Sequence, residues 1–309
     1  MDRRRFLAAV PAAALTLSAL PARSRAADAP AAAPVVTQLA DRLWLITGCG
    51  GNVTVFDSPE GVLLVDGGSP AHSPRLLREV ERLTGQPSVH TLFNTHWHHA
   101  QTGSNDTLGK AGTRIIAHEY TRQWLTTDVD SAWQQQHFQP LPKHALPNAT
   151  FYTQEALDFG GERIEYGPLG QAHTDGDLYV FFRGANVLVA GDVVAAGQFP
   201  LVDPDTNGWI GGLATAAGTL AGLADARTQV IPGLGAPQTL AHVQAEAAML
   251  DTLRQRLARL LAQGQSASEM IAARPAAEFE AEWGDATQLI RNAYPGLAYR
   301  ARELGVSIV

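Results

Sequence analysis

Cysteine is all but missing from this chain: one residue, Cys49, in 309. A single thiol cannot close an internal disulfide, so the fold rests on packing and not on covalent staples. Cys49 lies in a turn punctuated by Gly48, Gly50 and Gly51, and it reads as an inert buried residue, not a ligand or nucleophile. Basic residues are outnumbered, 23 Lys and Arg against 30 Asp and Glu, for a net charge of −7. That balance argues against nucleic acid and anionic membrane surfaces as partners, since both need a basic face. Past the first 20 or so residues, no stretch is apolar enough to span a bilayer. What remains, 45% hydrophobic and 17% charged, is an ordinary globular composition, long enough for one large or two small domains.

The stretch that organises the chain is Asn94-Thr95-His96-Trp97-His98-His99-Ala100-Gln101-Thr102-Gly103-Ser104-Asn105. It follows the short apolar strand pattern Thr91-Leu92-Phe93, so it reads as a loop at a strand's carboxyl end. Histidines at i and i+2 on an extended segment project to one side and can reach one ion of the zinc class. A metal needs more ligands than two, and the rest of the chain must supply them.

Short strand patterns cover residues 43–46, 53–56 and 61–65, and the third ends in Asp66-Gly67-Gly68. Helical periodicity follows over 73–84, then strands over 90–94 and 114–117, with His118 after the last as a satisfied surface histidine. Residues 126–150 are polar and read as a long excursion, possible cover for a nearby site, with His137 and His144 solvated. Further strands precede and follow Gly170-Gln171-Ala172-His173-Thr174-Asp175-Gly176-Asp177. They cover 178–183 and Val187-Leu188-Val189-Ala190-Gly191-Asp192. A closely packed helix is expected over 208–224. A long one over 238–261 has its apolar face marked by Leu240, Val243, Leu250, Leu253, Leu257 and Leu260. Shorter helices are expected over 266–273, 276–283 and 285–293.

The histidine-rich stretch resembles the signature loop of the metallo-β-lactamase superfamily, N-T-H-x-H-x-D-H-x-G-G-N. It matches at Asn94, Thr95, His96, His98, Gly103 and Asn105. Residues 170–177 resemble the superfamily's G-x-x-H-T-x-G-D motif, residues 187–192 its V-L-x-x-G-D strand end, and Asp66-Gly67-Gly68 its D-x-G turn. The resemblance covers roughly residues 36–300. It implies an α/β fold, a four-layer αββα sandwich, formed by residues 35–236 and followed by a C-terminal helical extension over 237–309. It also implies that His96, His98 and His173 hold the first metal, with Asp192 adjacent as ligand or orienting base. Asp66 and Asp177 would brace the ligand loops from behind.

The second site departs from the pattern. Its ligand positions carry Ala100, Gln101 and, in Ile231-Pro232-Gly233-Leu234-Gly235, Leu234. Alanine and leucine offer no donor, and an amide oxygen is a poor partner for a transition metal beside imidazole. The resemblance therefore implies one Zn²⁺ per chain. Three imidazoles leave one position open for a water, whose pKa such a metal lowers to about 7. A mononuclear zinc hydrolase acting on a small molecule is the favoured reading. The alternatives are a non-catalytic or accessory binding protein that keeps the fold, and a mononuclear Fe²⁺ oxygenase using two histidines and Asp192. The substrate and the oligomeric state are not legible.

Arg3-Arg4-Arg5-Phe6-Leu7, an apolar run over 8–20 and the small residues Ser24 and Ala26 resemble a twin-arginine export signal over residues 1–26. A lead-in of Ala, Asp and Pro over 27–34 reads as disordered. Cleavage after Ala26 would remove five Arg and one Asp and take the net charge from −7 to −11. The expectation is a periplasmic mature protein. Replacing Arg3 and Arg4 by lysine should leave the precursor in the cytoplasm, as read by fractionation and the size of the chain. Normal processing of that variant would point to a different export route.

Overall fold

Runs of Val, Leu, Ile and Phe broken by glycine turns are long enough for strands and too short for helices, and they build two sheets. The computed structural model describes residues 33–301. The expected export signal and the lead-in up to residue 32 lie outside them. In chain order the first elements are β1 (Val35–Ala40), β2 (Leu43–Thr47), β3 (Val53–Ser58), β4 (Gly61–Val65), α1 (Ser73–Thr84) and β5 (Val89–Phe93). The short helices α2 (His99–Thr102) and α3 (Asn105–Lys110), strand β6 (Arg114–His118) and helix α4 (Glu119–Trp124) follow. A ribbon of β7 (Val129–Ser131) and β8 (Gln136–Phe138) leads to β9 (Ala149–Phe151), which closes a seven-stranded sheet in the order β1-β2-β3-β4-β5-β6-β9. The first four strands pair antiparallel. The pairs from β4 through β5 and β6 to β9 are parallel, and their carboxyl ends share one rim.

The second sheet runs β10 (Glu155–Phe159), β11 (Glu162–Pro168), β12 (Leu178–Phe182), β13 (Val187–Gly191) and β14 (Gln229–Pro232), with the last pair parallel. Helix α5 (Ile210–Leu223) connects β13 to β14. The chain then continues as α6 (Leu240–Ala262), α7 (Ala267–Ala272), α8 (Glu280–Trp283) and α9 (Thr287–Tyr299).

Period-two alternation sorts the side chains into layers. Leu63 and Val65 of β4 face inward with Phe56, Phe93, Val180, Phe182 and Val189 between the two sheets. Val62 and Leu64 of the same strand face outward, onto Leu76 and Val80 of α1. Phe181, Leu188 and Val230 face the other way, onto α5 and α6, and Met270, Trp283, Leu289 and Leu297 of the later helices join that same core. Helix, sheet, sheet, helix is the four-layer αββα sandwich, with C-terminal helices present.

Several elements differ from the sequence reading in detail. The excursion over 126–150 is not structureless, because it holds the β7–β8 ribbon and a 3₁₀ turn at Lys143–Ala145. Helix α9 runs past the expected end at 293 and through Pro295 to Tyr299, since burial of Leu297 outweighs the hydrogen bond that proline forfeits. The expected helix over 276–283 shortens to α8, Glu280–Trp283, behind a turn. His118 is buried, not at the surface, and its ring caps α4 by accepting from Tyr120 N–H. His137 and His144 are exposed and paired with aspartates. Cys49 is fully buried, and burial raises its thiol pKa. None of the described helices is long and apolar enough to cross a membrane.

One buried polar contact ties α6 to the rim. Glu246 is fully buried, and its Oε2 accepts Ala195 N–H at 3.1 Å. His242 Nε2 donates to the carbonyl of the same Ala195 at 2.8 Å, while its ring lies 4.8 Å from that of Trp283. Both polar groups of one peptide, three residues after Asp192, are thereby held from the helical layer. Glu246→Leu leaves the Ala195 N–H unsatisfied and should lower stability by about 1–3 kcal/mol in urea unfolding. Glu246→Gln keeps an acceptor there and should stay within about 1 kcal/mol of the parent. A leucine variant as stable as the parent would show that the clamp holds nothing.

Candidate metal centre

The site assembles on one rim because four segments end there. The 94–98 segment leaves the carboxyl end of β5, Asp66 that of β4 and Asp192 that of β13, while His173 precedes β12. Asp66 takes a left-handed backbone, φ 66°, which aspartate tolerates better than most residues. Its N–H donates to Phe93 O at 2.7 Å, and its carboxylate accepts from Thr95 N–H at 2.8 Å and from the Thr95 hydroxyl at 2.8 Å. That carboxylate therefore stitches β4 to the start of the histidine loop. Two glycines are needed at the same rim. A Cβ on Gly191, whose φ is 56°, would come within 2.8 Å of Thr95 Oγ1, and one on Gly233 within 1.8 Å of Asp192 Oδ1.

His96, His98, His173 and Asp192 come together, with one ligand atom from each lying within 4.8 Å of the others. His98 Nδ1 is 3.2 Å from His96 Nε2 and 3.0 Å from His173 Nε2, and Asp192 Oδ2 is 3.4 and 3.6 Å from those two Nε2 atoms. The three imidazoles are buried, while about a third of the Asp192 side chain is open.

The outward-facing nitrogens show which way each ring is protonated. His173 Nδ1 donates to Leu201 O at 2.8 Å, and a carbonyl can only accept. His98 Nε2 donates to Asp203 Oδ2 at 2.9 Å. His96 Nδ1 lies 3.1 Å from Thr95 Oγ1, which spends its own proton on Asp66 and so accepts. Three nitrogen lone pairs therefore converge at about hydrogen-bonding distance with no proton of their own to share. Such an arrangement is repulsive until a cation stands among them. Three imidazoles and a carboxylate are the donor set that a zinc-class ion prefers, so the residues fit a metal.

The titrations agree with that charge pattern. Burial lowers the His98 pKa to about 4, so it is neutral and ready to bind at neutral pH. Burial also opposes charge on His96, but the Asp192 carboxylate outweighs it and its pKa rises. Burial likewise works against the Asp192 charge, yet His96 and His173 hold its carboxyl well below the usual range. Asp203 is held at about 2, where its hydrogen bond from His98 overcomes desolvation. Asp66 and Asp177, each fully buried, are pushed up to about 7 and about 6 by desolvation. Asp177 accepts from Thr174 N–H and from the Thr174 hydroxyl, both at 2.8 Å, and so shapes the turn that carries His173.

The positions read as lost second-site ligands lie beside this cluster. Gln101 is buried, and its Nε2 donates weakly to Asp192 Oδ1 at 3.5 Å, while its Oε1 has no partner among the described residues. Ala100 carries no donor. Leu234 is 57% exposed and lines a cavity shared with His173 and Asp192. It is therefore not packed into an apolar interior.

Two residues went unread in the sequence. Asp203, in the turn before a 3₁₀ segment (Pro204–Thr206), is fully buried and orients His98. Trp133, from the 126–150 excursion, donates through Nε1 to Asp203 Oδ1 at 3.0 Å and lines the same cavity. The only signal available was chemical: a ligating histidine needs an acceptor behind it, and Asp203 is one of few acids between Asp192 and α5.

The family model of the metallo-beta-lactamase superfamily matches residues 46–261. With the motifs and this geometry, that match makes the chain a member of the superfamily. Among solved structures, it is similar to the metallo-beta-lactamase from Pontibacter korlensis, at 19% identity over 71% of this chain and 99% of that one, TM-score 0.58. It is also similar to DIM-1 metallo-beta-lactamase, at 16% identity over 72% and 99%, TM-score 0.58. TMB-1 is similar at 15% identity over 71% and 98%, TM-score 0.56. At these identities the likeness shows the fold alone. No curated protein matches the chain.

The Asp203 bond generates a test. Asp203→Asn weakens the acceptor that fixes the His98 ring and should lower metal affinity about 10–100-fold, measured by competition with a chromogenic chelator. An unchanged affinity would mean that packing alone orients the ring.

Proposed function

We propose that this protein is a mononuclear zinc hydrolase of small molecules, exported to the periplasm. The observation that carries the reading is the convergence of His96 Nε2, His98 Nδ1, His173 Nε2 and Asp192 Oδ2 at a rim open to a cavity. A zinc ion held by that set would lower the pKa of a water to about 7 and polarise a carbonyl oxygen. The reaction is addition of water to an ester or amide carbonyl, breakage of the bond to the leaving group, and transfer of the water's proton to that group. Asp192, ionised at neutral pH and facing the same space, accepts a hydrogen bond from the attacking water and fixes its direction. His96, His98 and His173 hold the ion, while Thr95, Asp203 and Leu201 keep their donor atoms pointing inward.

A competing reading draws on Ala100, Gln101 and Leu234. A chain that has given up these positions could have kept the fold, and one metal, for binding alone. Elemental analysis of the protein purified without chelator or added metal separates the readings. About one zinc per chain is expected, with hydrolysis of a generic ester that chelation abolishes. One zinc without hydrolysis supports the accessory protein, iron in its place the oxygenase, and two tightly held ions would overturn the single-site assignment. Ala100→Asp, Gln101→His and Leu234→His combined should raise the stoichiometry to two. Each change alone should do little, because a site with one or two ligands is weak. The exposure of Leu234 means that its replacement costs little burial.

A further inference from the structure

The wall of the cavity beside the donor cluster is apolar, formed by Trp133, Val194, Phe199, Pro200, Leu201 and Leu234. His173 and Asp192 face into the same space, and every other residue lining it is uncharged, the one further polar side chain being the neutral amide of Gln198. Leu234 stands at the position where the superfamily pattern has a metal-binding histidine, so a side chain that would hold a second ion has become part of this wall. The cavity is small, about 110 Å³, against roughly 150 Å³ for an apolar cavity that takes benzene.

We infer that this cavity is the substrate subsite and that it selects an uncharged, short apolar acyl group, on the scale of a four-carbon chain, next to the carbonyl that reacts. A methyl or methylene entering it gains burial against Phe199, Leu201 and Leu234. A carboxylate at the same place loses its hydration and meets no cationic side chain, while Asp192 stands close by. The wall is also held in place. Leu201 O accepts from His173 Nδ1, and Trp133 Nε1 donates to Asp203, which in turn orients His98. The side chains that shape the subsite are thus fastened to the residues that would hold the metal. Leu234 differs from the others because it is exposed at 57% and fastened to nothing, so it is the residue through which specificity can change without disturbing the site.

The inference rests on the hydrolase reading for its reaction but not for its binding, and the experiment keeps the two apart. Binding is read by ¹⁹F line broadening of 4,4,4-trifluorobutan-1-ol on the protein as purified. Saturable binding is expected, weakened about tenfold in Leu234→Asp and changed less than about twofold in Leu234→Met. Turnover is read with two four-carbon acyl esters, p-nitrophenyl butyrate and p-nitrophenyl hemisuccinate. Butyrate should be favoured at least about tenfold in kcat/KM, and Leu234→Lys should narrow or reverse that ratio. Binding with the expected Leu234 response but no turnover of either ester sustains the subsite and sinks the hydrolase. Turnover with no alcohol binding, with hemisuccinate equal or preferred, or with no effect of Leu234→Asp overturns the subsite and leaves the hydrolase standing.

Discussion

Three imidazole nitrogens cannot sit 3.0–3.2 Å apart with their lone pairs facing one another unless something positive stands between them. The rest of the rim serves that constraint. Each ring is pinned from behind by an acceptor, His96 by Thr95, His98 by Asp203 and His173 by Leu201 O, so none can turn a proton inward to relieve the repulsion. Four buried or half-buried carboxylates, Asp66, Asp177, Asp192 and Asp203, surround the cluster and supply the negative field that a cation would neutralise. Positive charge on His96 and negative charge on Asp192 are both favoured against burial, as expected of a centre built around an ion.

The fold makes such a centre possible by geometry. Parallel pairs put several strand ends on one rim, and both sheets contribute: β4 and β5 from one, β12 and β13 from the other. Close approach between them demands glycine at 191 and 233, where any Cβ would collide with Thr95 or Asp192. The helical layer reaches the same rim through Glu246 and His242, which grip the peptide of Ala195. Packing and chemistry are thus coupled, since the residues that finish the sandwich also position the loop after Asp192.

The departure from the superfamily pattern has a consistent physical form. Where a second ion would be held, Gln101 offers an amide that donates weakly to the outer oxygen of Asp192, and Leu234 offers apolar surface to the neighbouring cavity. One half of an ion-binding centre is replaced by a neutral, partly apolar surface, while the other half keeps every donor.

Much of this was legible in residue order alone. The His96 and His98 spacing, the Gly170 to Asp177 motif, the strand end at Asp192 and the short apolar strands all carry information in spacings of a few residues, and local spacing is what a sequence displays. For the same reason the sandwich and the four-residue donor set could be anticipated through resemblance. Asp203, Trp133 and Glu246 could not, because their partners lie 105, 70 and 51 residues away and no local pattern marks a buried acid as a partner. His118 misled because the burial of a strand-end residue depends on what packs above it, here Phe151 and Tyr120. Leu234 is the clearest division between the two. The sequence says that it cannot hold a metal, and only the tertiary structure places it, half open, in the wall of the cavity beside His173 and Asp192, because which loops meet at a rim is decided by how two sheets stack and not by either loop's own residues.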